Sequence, residues 1–364
     1  MRDIVSAKNY VYLTENGTRY TDLIAGTYNV TFGHGNLAII EAIQQNCRMV
    51  NTYDFPTGNR QKLAEELHSL TFDRFDTWWF FSGGAEAVDK ALILCQMNRV
   101  GAVAHFRGSF HGKTIGTRPF SEPTYSSSPF AYTRLTFDYS LEGLGYLDSF
   151  PDQISCIIVE PILGLHGVSP PRDFLQTLRK VASRRGIYVV SDEITTGFGR
   201  AGWVFNLSFG PDILLVGKGL GQGLPITALG FRKGDFPTSD ISNTTSAGGN
   251  NLCCGVAIAA CQLLKEEDMV EKSCRVGKCL RECLPSFRSL KVVTDVRVFD
   301  GSMGYVDFIS NEVAEAVVLK ALQEEEVIVK RQDRTIKFLP CFTIYERELK
   351  EAVERVLSVA RKIS

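Results

Sequence analysis

Two residues of this chain carry side chains suited to joint chemistry, Lys218 and Asp192. Lys218 follows the apolar run 213–216, and Asp192 follows a second apolar run at 189–190. A lysine amine can form a Schiff base with an aldehyde, and a carboxylate can keep a pyridine nitrogen protonated so that the ring withdraws electrons. At the ends of neighbouring strands in an α/β chain, this pair predicts an enzyme that uses pyridoxal 5'-phosphate.

The surroundings of both residues favour this interpretation. Asp192 ends a strand that should be buried on both faces, where a charge costs several kcal/mol unless it is paired. A protonated pyridine would provide the partner, and the alternative is a structural salt bridge, for example to Arg200. Lys218 is flanked by Gly217 and Gly219. An exposed loop lysine is the alternative, and the apolar run before Lys218 disfavours it.

Two further segments could bind the rest of such a cofactor. Gly84 and Ala85 come after the predicted strand 78–81 and open a predicted helix, so their backbone N–H groups could hold a phosphate. The alternative is an ordinary strand-to-helix turn. Phe110 and His111 follow the predicted strand 100–106. The aromatic ring could lie on a flat cofactor, whereas the alternative is a core phenylalanine beside a turn.

The elements that would position these residues alternate between strand and helix in the first two thirds of the chain. Such alternation predicts a mostly parallel sheet with helices on both faces. The predicted elements are strands 78–81, 100–106, 154–159, 187–190 and 213–216 and helices 37–49, 60–70, 86–97, 174–184 and 252–267.

The pattern changes after the helix at 252–267. Strands 292–294, 304–308, 327–330 and 335–338, with helices at 311–325 and from Glu346, predict a smaller α+β domain. We therefore expect an N-terminal segment at 1–35 that packs with the small domain, a large cofactor-binding domain at 36–260 and a small C-terminal domain at 261–364.

Composition limits the classes of function. The net charge of −1 and the pI of about 6.5 provide no basic field for nucleic acid. No apolar run approaches the roughly 20 residues that span a bilayer, and the N-terminus lacks the apolar core of a signal peptide. The ten cysteines form no CxxC pair, so we expect reduced thiols, no metal site and a cytoplasmic location.

Longer motifs carry a family resemblance. Residues 189–200 (VVSDEITTGFGR), 211–213 (PDI) and 217–225 (GKGLGQGLP) resemble the signature of the class III (ornithine/ω-type) aminotransferases. The segments 16–22, 32–35 and 246–250 resemble other parts of the same family, so the likeness extends over almost the whole chain. It implies an α/β fold of fold-type I, with a mostly parallel central sheet in a large domain and a smaller α+β C-terminal domain.

The resemblance also implies roles for individual residues. Lys218 would form the Schiff base and then act as acid and base in the proton shift, and Asp192 would pair with the pyridine nitrogen. Phe110, beside His111, would stack on the ring. Gly84 and Ala85 would bind the phosphate through backbone N–H groups, and Ser246, or Thr245 beside it, would add a hydroxyl from the other subunit. A homodimer with active sites at the interface follows from this resemblance.

Departures from the family pattern concern the substrate. Leu165 replaces a glutamate that gates a substrate-binding arginine in ornithine-type members. Lys337 stands where many members have arginine, and lysine lacks the bidentate fork of that residue. Lys113 likewise stands where acylornithine enzymes often have arginine. We therefore expect an intact cofactor site and unusual substrate recognition by Lys113, Leu165 and Lys337.

The expected function is transfer of an amino group between an amino acid or amine donor and a keto acid or aldehyde acceptor. One alternative keeps the cofactor but changes the reaction to that of a racemase or epimerase, an aminomutase or a decarboxylase of the same family. A second alternative is a non-catalytic paralogue that acts as a binding protein, against which the presence of Asp192, Lys218 and Phe110 argues.

Overall fold

The computed structural model describes residues 3–51, 57–121, 133–236, 238 and 245–364. The chain divides into two compact units. The larger unit contains Asn46–Gly197 and Phe205–Ile258, and the smaller unit contains Met1–Gln45, Phe198–Val204 and Ala259–Ser364. The division into 1–35, 36–260 and 261–364 stays a prediction.

A seven-stranded sheet forms the centre of the larger unit. Five neighbouring strands run parallel, and β10 pairs antiparallel with the strands on both its sides. In sheet order the strands are β4 (Thr77–Phe81), β10 (Thr227–Phe231), β9 (Ile213–Val216), β8 (Tyr188–Asp192), β7 (Ile154–Val159), β5 (Ala102–Phe106) and β6 (Arg134–Phe137). The predicted α/β class with a mostly parallel sheet is confirmed.

Both faces of this sheet are buried, and β7 shows how the sequence produces this. All six of its residues are buried. Cys156 and Ile158 belong to one core cluster, whereas Ile157 and Val159 belong to another. Successive side chains of a strand point to opposite faces, so an unbroken apolar run matches a strand that is covered on both sides.

Helices α2 to α7 occupy the connections of the first two thirds of the chain. Ser140 caps α5, since its side chain accepts a hydrogen bond from the N–H of Gly143. The helices are α2 (Leu37–Asn46), α3 (Gly58–Leu70), α4 (Gly84–Asn98), α5 (Leu141–Ser149), α6 (Phe174–Arg185) and α7 (Asn251–Glu266). No helix in the described parts of the chain is long and apolar enough to cross a membrane.

The smaller unit is built on two four-stranded sheets. The first contains β1 (Ile4–Lys8), β2 (Val11–Thr14), β3 (Arg19–Asp22) and β13 (Val327–Ile328); the second contains β11 (Val293–Val298), β12 (Gly304–Phe308), β15 (Thr335–Phe338) and β14 (Lys330–Gln332). Its helices include the single left-handed turn α1 (Ala25–Tyr28), α8 (Met269–Cys283), α9 (Asn311–Glu324) and α10 (Glu346–Ile363). Helix α2 up to Gln45 and the end of α7 from Ala259 also belong to this unit.

The terminal helix α10 shows what holds this unit together. Leu349, Val353, Val356 and Ala360 recur at helical spacing and are all buried in its core. An apolar stripe at this spacing packs one face of a helix against a core and leaves the other face to solvent. The unit therefore has a hydrophobic core of its own.

The carboxyl ends of five strands in the larger unit lie at the same edge of its sheet. Strands β5, β7, β8 and β9 are parallel, and β4 shares their direction because both β4 and β9 are antiparallel to β10. In open α/β sheets ligands bind at this edge. Most of the predicted cofactor-binding residues follow these strand ends.

Candidate active site

Asp192, the last residue of β8, is bound to His111. The Oδ2 atom of Asp192 lies 2.7 Å from Nδ1 of His111, and Oδ1 accepts a hydrogen bond of 3.1 Å from the N–H of Ile194. Both side chains of the Asp192–His111 pair are buried. The two contacts fix the plane of the carboxylate. On the other ring nitrogen, His111 Nε2 is buried and has no hydrogen-bond partner in the described part of the chain.

The alternative partner for Asp192, Arg200, makes different contacts. Its Nη1 donates to the carbonyl oxygens of Ser302 and Pro340, at 3.0 and 2.6 Å, within the smaller unit. The buried carboxylate of Asp192 is therefore paired with an imidazole, which can share a proton with it, rather than with a permanently charged guanidinium.

Glu160 joins this cluster and was not among the predicted site residues. It follows β7, and its two carboxylate oxygens accept N–H hydrogen bonds from Phe110 at 2.8 Å and from Gly164 at 3.0 Å. Burial, with a further contribution from the charge of Asp192, raises the pKa of Glu160 to about 7. The sequence held a signal for it, because Glu160 follows an apolar run just as Asp192 does.

The loop after β5 carries Phe110 and His111 and packs on the start of α4. The N–H of His111 donates to Ser121 Oγ at 2.7 Å. Gly112 has φ +131°, and a Cβ built there would lie 2.6 Å from the Cβ of Ala85. Only glycine fits both the backbone conformation and this close approach. The loop is thus held against the predicted phosphate-binding residues.

The start of α4 provides room for an anion. Gly84 is its first residue, and a Cβ built on Gly83 before it would meet no atom within 4 Å. The N–H groups of a helix's first turn have no acceptor within the helix and carry the positive end of its dipole. Gly84 and Ala85 therefore fit the phosphate of a cofactor.

Lys218 follows β9 and begins a short 3-10 turn. Its Nζ donates to Thr195 Oγ1 at 2.5 Å. Its backbone has φ +46°, a left-handed conformation that costs a residue other than glycine about 1–2 kcal/mol. Strain of this kind persists where the surrounding structure enforces it, often at functional positions. Asp192 pairs with Leu215 in the β8–β9 ladder, which brings the turn that carries Lys218 to the same edge of the sheet.

The larger unit also contains two residues predicted to contact the phosphate and two predicted to contact the substrate. Ser246 is exposed, and its carbonyl accepts a hydrogen bond of 2.7 Å from the Asn51 side chain, with Thr245 beside it. Lys113 Nζ lies 5.9 Å from the centroid of the Phe110 ring. Leu165 is half-buried, in the turn after Glu160. The roles of these residues stay predictions.

The third predicted substrate contact, Lys337, belongs to the smaller unit. It lies on β15 and is buried, with Nζ 5.6 Å from the centroid of the Tyr28 ring. Burial raises the pKa of Tyr28 to about 12, so its hydroxyl stays protonated at neutral pH.

The residues that the structure brings together form one continuous set. Contacts link Phe110 to Glu160, His111 to Asp192 and Lys218 to Thr195, and a Cβ built on Gly84 would lie 2.9 Å from the Ile194 side chain. A buried carboxylate suited to a pyridinium, an amine suited to an aldehyde and a helix start suited to a phosphate thus occur together. This set fits pyridoxal phosphate and defines an enzyme of that cofactor class.

Comparisons with known proteins give the family. The model of the class-III aminotransferases matches residues 1–359, so the chain belongs to this family. A [LysW]-aminoadipate semialdehyde/glutamate semialdehyde transaminase of Sulfurisphaera tokodaii is 30% identical, covering 93% of this chain and 89% of the relative. An acetylornithine aminotransferase of Archaeoglobus fulgidus is also 30% identical, covering 96% of this chain and 92% of the relative.

Solved structures agree on the fold. The ornithine aminotransferase of Toxoplasma gondii superposes with a TM-score of 0.90 at 24% identity, over 99% of this chain and 90% of that one. The predicted family and fold-type I architecture are confirmed. The protein is a pyridoxal phosphate-dependent aminotransferase.

Proposed function

We propose that this enzyme moves an amino group between an amino acid or amine donor and a keto acid or aldehyde acceptor, with Lys218 and Asp192 as its catalytic residues. The observation that carries the proposal is that Asp192 ends β8 and Lys218 follows the neighbouring strand β9. His111 holds the Asp192 side chain, and Thr195 holds that of Lys218. When bound, pyridoxal phosphate supplies an aldehyde that condenses with amines and a ring that withdraws electrons.

Each residue of the site has a separate proposed role in the reaction. Lys218 Nζ would take a proton from the substrate carbon that bears the amino group and return it on the other side of the nitrogen, at the carbon of the former cofactor aldehyde. Asp192 holds a proton at the ring nitrogen, and His111 keeps its carboxylate in the required plane. Phe110 would cover one face of the ring, and its N–H donates to Glu160, which holds the loop in place. The N–H groups of Gly84 and Ala85 bind the phosphate.

The substrate class is proposed from charge. Lys113 and Lys337 are basic residues at predicted substrate positions, and Leu165 is an apolar residue where related enzymes have a glutamate. The ornithine, acetylornithine and glutamate semialdehyde in the names of relatives all carry a carboxylate. We infer a substrate with a carboxylate, bound by lysine point charges rather than by the bidentate contact of arginine.

The test follows the visible absorption band of the purified enzyme while pooled amino donors are added without an acceptor. Collapse of the band, with its return when keto acids are added, is the expected result. Persistence of the band, with exchange of the substrate proton into solvent, would replace transamination by a racemase-type reaction. No band after addition of pyridoxal phosphate would overturn the cofactor assignment.

A matched pair of variants tests whether Lys218 provides the catalytic amine. Lys218→Ala should abolish turnover and leave the fold intact. Lys180→Ala removes an exposed lysine of α6 in the same unit and should behave as wild type. Undiminished activity of Lys218→Ala would exclude Lys218 as the catalytic amine.

Assembly and location complete the proposal. A homodimer, in which Thr245 or Ser246 of one subunit reaches the phosphate of the other, predicts twice the chain mass of 40.4 kDa in light scattering. A monomer that retained full activity would exclude this arrangement. The cytoplasm is the proposed location, consistent with the near-neutral charge and reduced thiols.

A further inference from the structure

We propose that Thr195 is a positioning residue for Lys218, whose ε-amino group its hydroxyl holds whenever that amine is not bonded to the cofactor. The inference deepens the proposed function and rests on it, since it assumes that Lys218 is the amine that bonds to pyridoxal phosphate.

The contact itself is direct. Thr195 lies in the turn after β8, three residues beyond Asp192, and its Oγ1 accepts a hydrogen bond of 2.5 Å from Lys218 Nζ. Both residues are half-buried. A hydroxyl both donates and accepts, so Thr195 can hold the lysine as an ammonium and as a neutral amine. These are the two states that an amine passes through when it moves a proton.

The shape of threonine gives the hydroxyl its direction. A Cβ built on Gly164 would lie 2.8 Å from the methyl carbon of Thr195, so the methyl group packs against the backbone of Gly164. The N–H of Gly164 in turn donates to Glu160. A β-branched side chain has few χ1 rotamers, so packing of the methyl group fixes the direction of the hydroxyl. In this structure that direction is towards Lys218.

Holding the amine has a functional consequence. Lysine has a flexible four-carbon stem, and a free ammonium on such a stem samples many positions. Confinement of the amine to one position lowers the entropy that must be lost on reaction. Thr195 should therefore accelerate formation of the bond between lysine and cofactor, without contributing to the affinity for the phosphate.

The experiment measures the rate at which cofactor-free enzyme gains its visible band after pyridoxal phosphate is added in a stopped-flow instrument. Borohydride reduction and peptide mass spectrometry confirm that the label is on Lys218. Thr195→Val keeps the shape and removes the hydroxyl, and we expect bond formation about tenfold slower, the effect of one hydrogen bond to a charged group. Thr195→Ser keeps the hydroxyl and should stay within about twofold of wild type.

A control separates positioning from a structural role. The neighbouring Thr196 is buried, and its hydroxyl donates to Glu193 at 3.1 Å instead of contacting the lysine. Thr196→Val can lower the stability but should leave the rate of bond formation at the wild-type value. A positioning role also requires that Thr195→Val reach the wild-type bound fraction at saturating cofactor, because only the rate changes.

The outcomes separate the two proposals. Equal rates for Thr195→Val and wild type would overturn the role of Thr195 and leave the proposed function standing. A wild-type protein that forms no band would overturn the proposed function itself. If Thr195→Val does not fold, Thr195→Ala and Thr195→Ser differ only by the hydroxyl, and equal rates for these two would overturn the inference as well.

Discussion

The two units hold some of their buried charged side chains in different ways. In the larger unit, the carboxylates of Asp192 and Glu160 lie in one cluster with the imidazole of His111, and Asp192 and Glu160 are 4% and 3% exposed. In the smaller unit, Arg200 and Lys337 are 1% and 2% exposed. The acidic cluster is held by directional hydrogen bonds, whereas both basic side chains lie against aromatic rings.

The difference lies in how the charges are compensated. Each carboxylate accepts two directional hydrogen bonds. Arg200 has carbonyl acceptors for Nη1 and the Phe342 ring 4.9 Å away, but its Nε and Nη2 have no hydrogen-bond partner in the described part of the chain. Burial lowers the pKa of Arg200 to about 10. The acidic cluster is thus fixed in orientation by its hydrogen bonds, whereas Arg200 is held less completely.

The largest expected effect is that of Asp192→Asn. An amide cannot hold a proton at the ring nitrogen, so we expect the half-reaction with an amino donor to slow by about 10²–10⁴-fold, the range for one proton-transfer group. Single-turnover absorption measurements check this. Asp212→Asn is the control, because Asp212 lies before β9 at the other edge of the sheet and pairs with Arg179 at 2.7 Å. A wild-type rate for Asp192→Asn would make Asp192 structural.

The acidic cluster also predicts a pH dependence of stability. Because burial raises the pKa of Glu160 from the usual 4.5 to about 7, the folded chain binds more protons than the unfolded chain between these values. The stabilisation by the protonated carboxyl is full below about pH 4.5 and is lost as the pH rises to about 7. We expect the free energy of unfolding of the cofactor-free protein to fall by up to about 3 kcal/mol over this range.

Urea denaturation at a series of pH values measures this slope. Glu160→Gln should flatten it, whereas Glu142→Gln, which changes an exposed carboxylate of α5, should keep it. Identical profiles for Glu160→Gln and wild type would show that Glu160 is ionised in the folded protein throughout this range.

The sequence predicted the elements whose pattern is local. Apolar runs predict β7 and β9, and helical spacing predicts α10, from the residues of each element alone. Asp192 and Lys218 were found because each comes just after an apolar run. The antiparallel strand β10 was missed. Its Gly230 weakens a strand pattern, and only the fold reveals the reason: a Cβ there would lie 2.5 Å from the Trp78 ring.

The missed residues of the site have the same explanation. Thr195 and Glu160 act through partners 23 and 50 residues away, Lys218 and Phe110. An apolar run marks the position of Glu160 itself, but no local pattern predicts which residue Glu160 or Thr195 contacts. The helix α8 was also missed. Its buried face includes Ser273 and Gly277 beside Met269, Val276 and Leu280, so its apolar pattern is interrupted.

Substitution of the buried Arg200 in the smaller unit should lower the stability of the protein. Arg200→Met removes the hydrogen bonds to Ser302 and Pro340 but also two buried donors without acceptors, so we expect a net loss of about 1–3 kcal/mol in the free energy of unfolding. Arg331→Met, which breaks an exposed pair with Glu315 in the same unit, should cost at most about 1 kcal/mol. The midpoints of urea denaturation measure the change in stability of the two variants. Wild-type stability of Arg200→Met would mean that the unfilled donors fully offset the bonds that Arg200 makes.

The smallest effect concerns backbone strain, which both units contain. Lys218 and Glu326 have φ of +46° and +51°, a region that favours glycine. At Lys218 the proposed function requires the side chain, which would explain why the strain is retained there. Glu326 follows the C-cap residue Glu325 of α9, where helices commonly place glycine. We expect Glu326→Gly to stabilise the protein by about 0.5–1 kcal/mol, the relief of strain less the entropy that glycine gains on unfolding.

Glu325 provides the matched control for this substitution. Its φ of −123° is open to any residue, so Glu325→Gly brings only the entropic cost and should destabilise the protein by about 0.5–1 kcal/mol. Thermal unfolding of both variants beside wild type measures the two shifts. Opposite signs would show that the positive φ of Glu326 is strained. Destabilisation by both would mean that the Glu326 side chain stabilises the helix end by more than its backbone strain costs.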